Sequence, residues 1–428
     1  MLEVNAVIQE KTILPKRFFV FRGGNEDFRA QFPIDEKFRD LIYLIIALHY
    51  IECQEPSQKK LLLNTNYVNE FNEIKIDLEE LYNILTGRKI ELLFKHKTAV
   101  GTQQTFESKI PLDDIVLFSG GVDSLSGSIK MIQKNPNTAL LNNPSNRILF
   151  GKIKKILDHE LFTNTYTYFI NSKIKTDIDR SRISDTRGLL YLVSGYALSK
   201  NLKSKRLHFC ENGGQLLDVI LGNEVYVNSY ATKNTNLKYL KLIEKLISKF
   251  EGVTFPINYI FKNNTKAEII SKYLNEELIN LSWSCYSLRS SKMCGSCWNC
   301  FITKMSSITA DVIRDESKYE YNPLTQVIQN NLFLYNQNIL YDMLVFYEKV
   351  INDDKKSLEL LSDNETYFDD PIELGRNFGL DIFYGVQKTL KMFKERSGLG
   401  RKAEELLLRI DDNILKNRHD YVISQSHI

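Results

Sequence analysis

The 428-residue chain has no surplus of charge of either sign, since 56 Lys and Arg against 53 Asp and Glu leave +3. Such an even balance gives no electrostatic argument for a nucleic-acid partner. It also has no apolar run long enough to cross a membrane. The longest, Leu41–Ile51, contains His49 and falls well short of the roughly 20 residues a span requires, so it reads as a core helix. The opening residues offer neither a basic n-region nor an apolar h-region. The expectation is therefore a cytoplasmic protein without signal peptide or membrane association. There is no internal repeat and no low-complexity linker. None of the six histidines stands at ligand spacing from a cysteine, a glutamate or a second histidine, so all six read as structural or solvated. Two basic runs, Lys152–Lys155 and Lys200–Arg206, read as solvated helix faces.

What is present is ordinary globular material, 43% hydrophobic and 25% charged, in a chain long enough for two or three domains. Residues 1–110 mix strand-like segments (Asn5–Gln9, Arg17–Phe21, Ile90–Phe94), a turn at Arg22–Asn25 and a helix over Asp35–Ile51, which suggests an α+β accessory domain. Residues 111–310 alternate strand and helix as a doubly wound α/β domain does. Strand-like runs fall at Asp114–Phe118, Tyr166–Ile170, Arg206–Cys210 and Val253–Tyr259. Helical spacing falls at Gly188–Ser199, Thr235–Phe250 and Lys266–Leu274, with Leu237, Leu240, Ile243, Leu246 and Ile247 on one face. Residues 311–428 read as a helical region in which Leu340, Leu344, Tyr347 and Ile351 share a buried face and Leu406–Leu415 is apolar-rich. Asp363–Asp370 reads as an acidic surface loop within it.

Two segments carry chemistry. Ser119-Gly120-Gly121-Val122-Asp123-Ser124 directly follows the Asp114–Phe118 strand. Glycines permit a tight turn and remove Cβ atoms from the path of an approaching phosphate. The N–H groups and dipole of the next helix then face the same anion. Ser119 and Ser124 add hydroxyl donors, and Asp123 is a candidate ligand for Mg²⁺. No Gly-Lys-Ser/Thr follows, so this is not a Walker A loop. A plain Gly-Gly turn capped by Asp or Ser is the structural alternative.

The second segment holds four of the six cysteines: Cys285, Cys294, Cys297 and Cys300. Two short C-x2-C steps let one turn present thiolates to a tetrahedral ion, and the earlier cysteine closes the shell. Four thiolates leave no open coordination position, so a zinc ion here would be structural. An iron–sulfur cluster uses the same ligand number. Cys53 and Cys210 read as small buried hydrophobes.

The glycine turn resembles the signature of the PP-loop ATP pyrophosphatases, which cleave ATP between the α and β phosphates. Followed at this distance by Ser-Cys-x8-Cys-Gly-x-Cys-x2-Cys, it resembles the 7-cyano-7-deazaguanine synthase family of queuosine biosynthesis. Thr186–Leu190, Asn264–Ile270 and Ser282–Tyr286 resemble that family's Arg-containing helix start, its Lys-x-Glu segment and its first metal-ligand segment. The resemblance covers residues 111 to about 310. The flanks, the Cys210–Gly214 loop and the Thr232–Asn236 segment depart from the synthases. They look more like longer, divergent relatives encoded with bacterial anti-phage defence systems.

The resemblance implies a PP-loop (adenine nucleotide alpha hydrolase-like) doubly wound parallel sheet with a zinc module, and a ligase forming C–N bonds. It implies ATP, Mg²⁺ and Zn²⁺, with a 7-carboxy-7-deazaguanine-like acid adenylated and passed to an amine. The product would be an amide, a nitrile or a conjugate to a partner protein. Ser119, Gly120, Gly121, Asp123 and Ser124 would bind the nucleotide, and Arg187 and Lys266 would be its phosphate or carboxylate partners, unless they are plain surface charges. Glu211, Asn212 and Gly213 follow a strand's carboxyl end, where α/β sheets bind ligands. Glu211 could read a guanine-like amidine edge, and an Asx turn is the structural alternative. The alternatives in function are a PP-loop enzyme that modifies tRNA or another nucleic acid and a non-catalytic nucleotide-binding component of a defence complex.

Overall fold

The computed structural model describes residues 2–4, 17–22, 25–54, 57–97, 112–143, 147–169, 186–217, 220–221, 225–226, 235–254, 256–285, 292–326 and 331–426. The Asn5–Gln9 segment, the Gly23-Gly24 turn and Thr232–Asn234 lie outside the described residues, as does the side chain of Cys53. The chain begins with β1 (Leu2–Val4), β2 (Arg17–Arg22), β3 (Asn25–Pro33), α1 (Glu36–Gln54), β4 (Lys60–Thr65), α2 (Val68–Thr86) and β5 (Glu91–His96). Then come β6 (Asp114–Leu117), α3 (Val122–Lys134), β7 (Thr138–Asn142), α4 (Arg147–Leu157), β8 (Tyr166–Phe169), α5 (Arg187–Leu202) and β9 (Arg206–Phe209). They are followed by α6 (Gly213–Leu216), β10 (Ile220–Leu221), β11 (Val225–Tyr226), α7 (Leu237–Glu251), β12 (Ile257–Tyr259), α8 (Lys266–Tyr273), α9 (Glu276–Leu281) and α10 (Trp298–Thr309). The rest is helical: α11 (Asn331–Ile351), α12 (Lys355–Ser362), α13 (Pro371–Met392), α14 (Gly398–Leu407) and α15 (Asp412–Ser424).

Two units share this chain in interleaved fashion. The first comprises Met1–Ser119, Met131–Phe209 and Thr232–Tyr259, and the second Gly120–Lys130, Cys210–Ala231 and Ile260–Ile428. The second unit therefore takes over the chain just past the carboxyl ends of β6, β9 and β12.

The first unit holds a seven-stranded sheet in the order β12-β9-β6-β7-β8-β2-β3 and a parallel three-stranded sheet, β1-β4-β5. In the larger sheet β12, β9, β6, β7 and β8 run parallel, and the β2–β3 hairpin adds antiparallel to β8. Residues from the first 110 thus build part of the main sheet as well as a sheet of their own. The chain passes from β6 to β7 and β8 on one side, then returns to β9 and β12 on the other, so the strand order reverses between β6 and β9. Every residue of β6 and β7 is buried, the pattern of parallel strands covered on both faces. Helix α7 buries Leu237, Leu240, Ile243, Leu246, Ile247 and Phe250, as its apolar spacing requires. Phe250 packs edge-on against Phe38 and Phe71.

The run Lys200–Arg206 is not a solvated helix face. Arg206 lies on β9 and clamps buried Asp114 at 2.6 and 2.9 Å, joined by His208 at 2.7 Å. Lys200 pairs with Glu251 at 3.1 Å and Lys205 with Asp113 at 2.7 Å. A carboxylate buried in a parallel sheet needs such partners, and the run supplies them.

In the second unit α13 packs against α10, α11, α12, α14 and α15. Leu374, Phe378, Ile382, Val386 and Leu390 repeat every four residues along its length and are all buried, the stripe such a position demands. Leu340, Leu344, Tyr347 and Ile351 are buried on α11 as expected. Asp363–Asp370 joins α12 to α13, and Asp370 caps α13 by accepting from the Glu373 N–H at 2.8 Å. The apolar stretch Leu406–Leu415 divides between α14 and α15, because Asp411 caps the second helix.

Candidate active site and metal centre

The turn after β6 is held by its own backbone chemistry. Gly120 has φ +81°, the left-handed region that side chains with a Cβ resist. The Gly121 carbonyl accepts from the Leu125 N–H at 2.9 Å and from Ser124 Oγ at 3.1 Å, which starts α3. A second segment pins the turn from outside: the Trp283 N–H donates to the Gly120 carbonyl at 2.8 Å, and Ser284 Oγ accepts from the Val122 N–H at 3.3 Å. Asp123 lies in the first turn of α3 and is buried, as is Ser124, while Ser119 is exposed at the end of the first unit.

Lys266 meets Asp123, Nζ to Oδ2 at 2.7 Å. The lysine is 1% exposed and is the first residue of α8. Neither fact favours a cation, because burial strips its hydration and a helix N-terminus repels positive charge. The position makes sense only through its partner. The Asn212 side-chain amide donates to the other Asp123 oxygen at 3.0 Å and to Gln215 Oε1 at 2.5 Å, and Gln215 donates in turn to Asn299 Oδ1 at 2.6 Å. Asp123 is thus gripped from two sides by groups that follow β9 and β12 in the chain.

Glu211, beside Asn212, keeps part of its surface open, yet burial of its carboxyl and the neighbouring Asp123 charge push it up to about 8, against the pull of Lys266. Burial thus favours the protonated acid over the carboxylate that the amidine-edge reading requires. Asn212 is wholly buried and caps α6, accepting from the Gln215 N–H at 3.2 Å. Gly213 donates its N–H to the Asn264 carbonyl at 2.8 Å, and a Cβ there would stand 2.1 Å from the Lys262 carbonyl oxygen. These contacts hold the loop in place. Arg187 belongs to the first unit, where it is exposed at the start of α5. Its charge there acts on His49, whose titration burial already holds down. Asp123, Glu211, Asn212 and Lys266 come together within the second unit.

Spacing did not reveal Gln215 and Asn299, because amides carry no distinctive pattern. The Thr265–Glu268 capping box around Lys266 was not read from the sequence either, although Thr-x-x-Glu is its local signature.

Cys285, Cys294, Cys297 and Cys300 are all buried, and their sulfurs lie within 4.8 Å of one another. Four sulfurs around one zinc-sized ion stand roughly 3.8 Å apart by tetrahedral geometry, so the group could hold a metal. The Cys294 N–H donates to Cys285 Sγ at 3.2 Å and the Cys297 N–H to Cys294 Sγ at 3.3 Å, the orientation that favours thiolates. Cys297 immediately precedes α10 and Cys300 lies in its first turn. Gly295, at φ +76°, supplies the bend between ligands. Among the described residues no other group of three or more His, Cys, Asp or Glu is so placed. Cys210 is buried, as expected, and burial pushes its thiol far up. No described helix is long and apolar enough to cross a membrane.

No protein-family model matches the chain, and no curated protein matches it significantly.

Proposed function

We propose that this chain is a PP-loop enzyme that activates a carboxylic acid with ATP, releasing pyrophosphate, and hands the acyl group to an amine. The observation that carries the reading is the buried Lys266–Asp123 pair in the first turn after the Gly120 bend, with Glu211 and Asn212 beside it. A helix N-terminus and a desolvated ammonium on one spot suit a polyphosphate, and such preorganised charge is most of what phosphate chemistry needs. The reversal of strand order between β6 and β9 supports a doubly wound sheet of the PP-loop type, whose ligands lie past the strands' carboxyl ends.

Asp123 retains acceptor capacity beyond its bonds to Lys266 and Asn212, so it fits Mg²⁺, which would neutralise the departing pyrophosphate. The four cysteines fit a structural Zn²⁺ with no open position and no chemical role. In the reaction a substrate carboxylate oxygen bonds to the α-phosphorus as the bridging bond to the β-phosphate breaks, and pyrophosphate leaves with that electron pair. The amine nitrogen then bonds to the acyl carbon, AMP departs and the nitrogen loses a proton.

The resemblance to 7-cyano-7-deazaguanine synthases supports 7-carboxy-7-deazaguanine, or a close heterocyclic acid, as substrate. A bound amidine edge would favour ionised Glu211, so binding should draw its proton off. The likeness to defence-associated relatives supports a setting in anti-phage defence, and a partner protein rather than ammonia as amine donor would give the large flanks a purpose. The test is incubation with ATP, Mg²⁺ and 7-carboxy-7-deazaguanine, reading AMP and pyrophosphate, with Asp123→Ala as control. Acid-dependent pyrophosphate release lost in the control supports the reading, and mass spectrometry with ammonia or a partner then names the acceptor. Orthophosphate release, or none, rejects it in favour of a tRNA substrate or simple nucleotide binding.

A further inference from the structure

One buried ionic cluster lies outside the set of groups that touch Asp123. Arg418, on α15, is 6% exposed. Its Nε donates to Asp381 Oδ1 at 2.7 Å, and its Nη2 to Asp381 Oδ2 at 3.2 Å, to Glu268 Oε1 at 2.7 Å and to Thr265 Oγ1 at 3.1 Å. Asp381, on α13, is completely buried.

Thr265 and Glu268 are the two halves of the capping box that opens α8. The Glu268 N–H donates to Thr265 Oγ1 at 3.4 Å, and the Thr265 N–H to Glu268 Oε2 at 3.1 Å. Lys266 is the first helical residue inside that box. One guanidinium fork therefore grips both side chains that shape the turn from which Lys266 reaches Asp123. The same turn holds the loop opposite, because Asn264 donates to Glu268 Oε2 at 3.2 Å while its carbonyl accepts the Gly213 N–H at 2.8 Å. On its other side Asp381 accepts, through its carbonyl, from Thr309 Oγ1 at 2.6 Å at the end of the cysteine-bearing helix α10.

A capping box on an exposed helix needs no arginine; its two reciprocal bonds are self-sufficient. A buried arginine, moreover, is costly unless each of its donors finds a fixed acceptor. Here the acceptors come from two different elements, α13 and the start of α8, so the cluster locks one to the other. We propose that Arg418, anchored by Asp381, is a positioning residue for Lys266: the C-terminal helices α13 and α15 set the turn that presents the lysine ammonium to the nucleotide phosphates. The role of the phosphates rests on the function proposed above; the positioning of Lys266 does not.

The test uses the full chain with Arg418→Lys, Arg418→Met and the charge-compensated double variant Asp381→Asn/Arg418→Met, which can fold if the single change cannot. Acylation by an N-hydroxysuccinimide ester, read per lysine by mass spectrometry, reports on Lys266, with buried Lys304 (3% exposed) as the control for general loosening. The expected result is protection of Lys266 in the parent and a several-fold rise in its labelling in both Met variants. Arg418→Lys should fall between, and Lys304 should stay unchanged. Turnover should fall, and KM should rise for ATP but not for the acid. If Lys266 stays protected in folded variants, or if Lys304 rises in parallel, Arg418 serves only general stability and the proposal is overturned. If Lys266 labelling alone rises but the parent chain releases no pyrophosphate, positioning stands and the adenylation reading fails.

Discussion

Lys266 and Glu211 both act on Asp123, and each can be tested alone. Lys266→Met should strand largely buried Asp123 beside Asn212. The expected cost is about 3 kcal/mol in chemical denaturation, and adding Asp123→Asn should restore much of it. Recovery would identify the pair, not packing, as the source of the loss. Glu211 gives a pH signature. With its carboxyl pushed up to about 8, the folded chain keeps a proton that an unfolded glutamate loses near its ordinary value of about 4.3. Its contribution is fully present below the unfolded value and is lost as pH rises through about 8. Glu211→Gln mimics the protonated form. It should match the parent at pH 4 and be the more stable of the two at pH 9. Equal stability at both ends would remove Glu211 from the charged cluster. Asp123, Lys266 and Glu211 were legible because each stands in a local pattern. Arg418 was not, because it meets Glu268 across 150 residues and no spacing rule reaches that far.

At the scale of elements, the turn after β6 and the cysteine segment form one device. Gly120→Ala should cost about 1–2 kcal/mol from its left-handed backbone alone, measured by denaturant midpoint, and should weaken nucleotide binding further by moving the α3 N-terminus. The Trp283 and Ser284 bonds to Gly120 and Val122 lie immediately before Cys285. Stripping the metal with a chelator should therefore lower the melting temperature and the ATP affinity together. A melting shift with unchanged affinity would separate the two. Pattern announced these segments because glycine and thiolate chemistry is local. Periodicity also located β6, β9, α7 and α8 closely, but it missed β4, β7 and α2. β7 has only three apolar residues, Ala139–Leu141, too short a run to declare itself between its Asn-Pro dipeptides, while α2 buries Phe71, Ile74, Leu78, Leu81 and Leu85 at helical spacing amid a strongly acidic stretch.

At the scale of the molecule, cuts at 110 and 310 describe the order of the sequence better than the folded chain. The β2–β3 hairpin extends the main sheet, and the two units exchange the chain at the ends of β6, β9 and β12. Long-range pairing of this kind has no signature in a single sequence. The C-terminal helices, which carry no motif, supply the Arg418–Asp381 clamp. The central claim is formation of an acyl adenylate, and the most direct measurement is exchange of radiolabelled pyrophosphate into ATP by the full chain with Mg²⁺ and no amine. The account expects exchange that requires 7-carboxy-7-deazaguanine or a related acid and vanishes in Asp123→Asn. Exchange without any acid, or AMP formation with no exchange under any acid supplied, would contradict it.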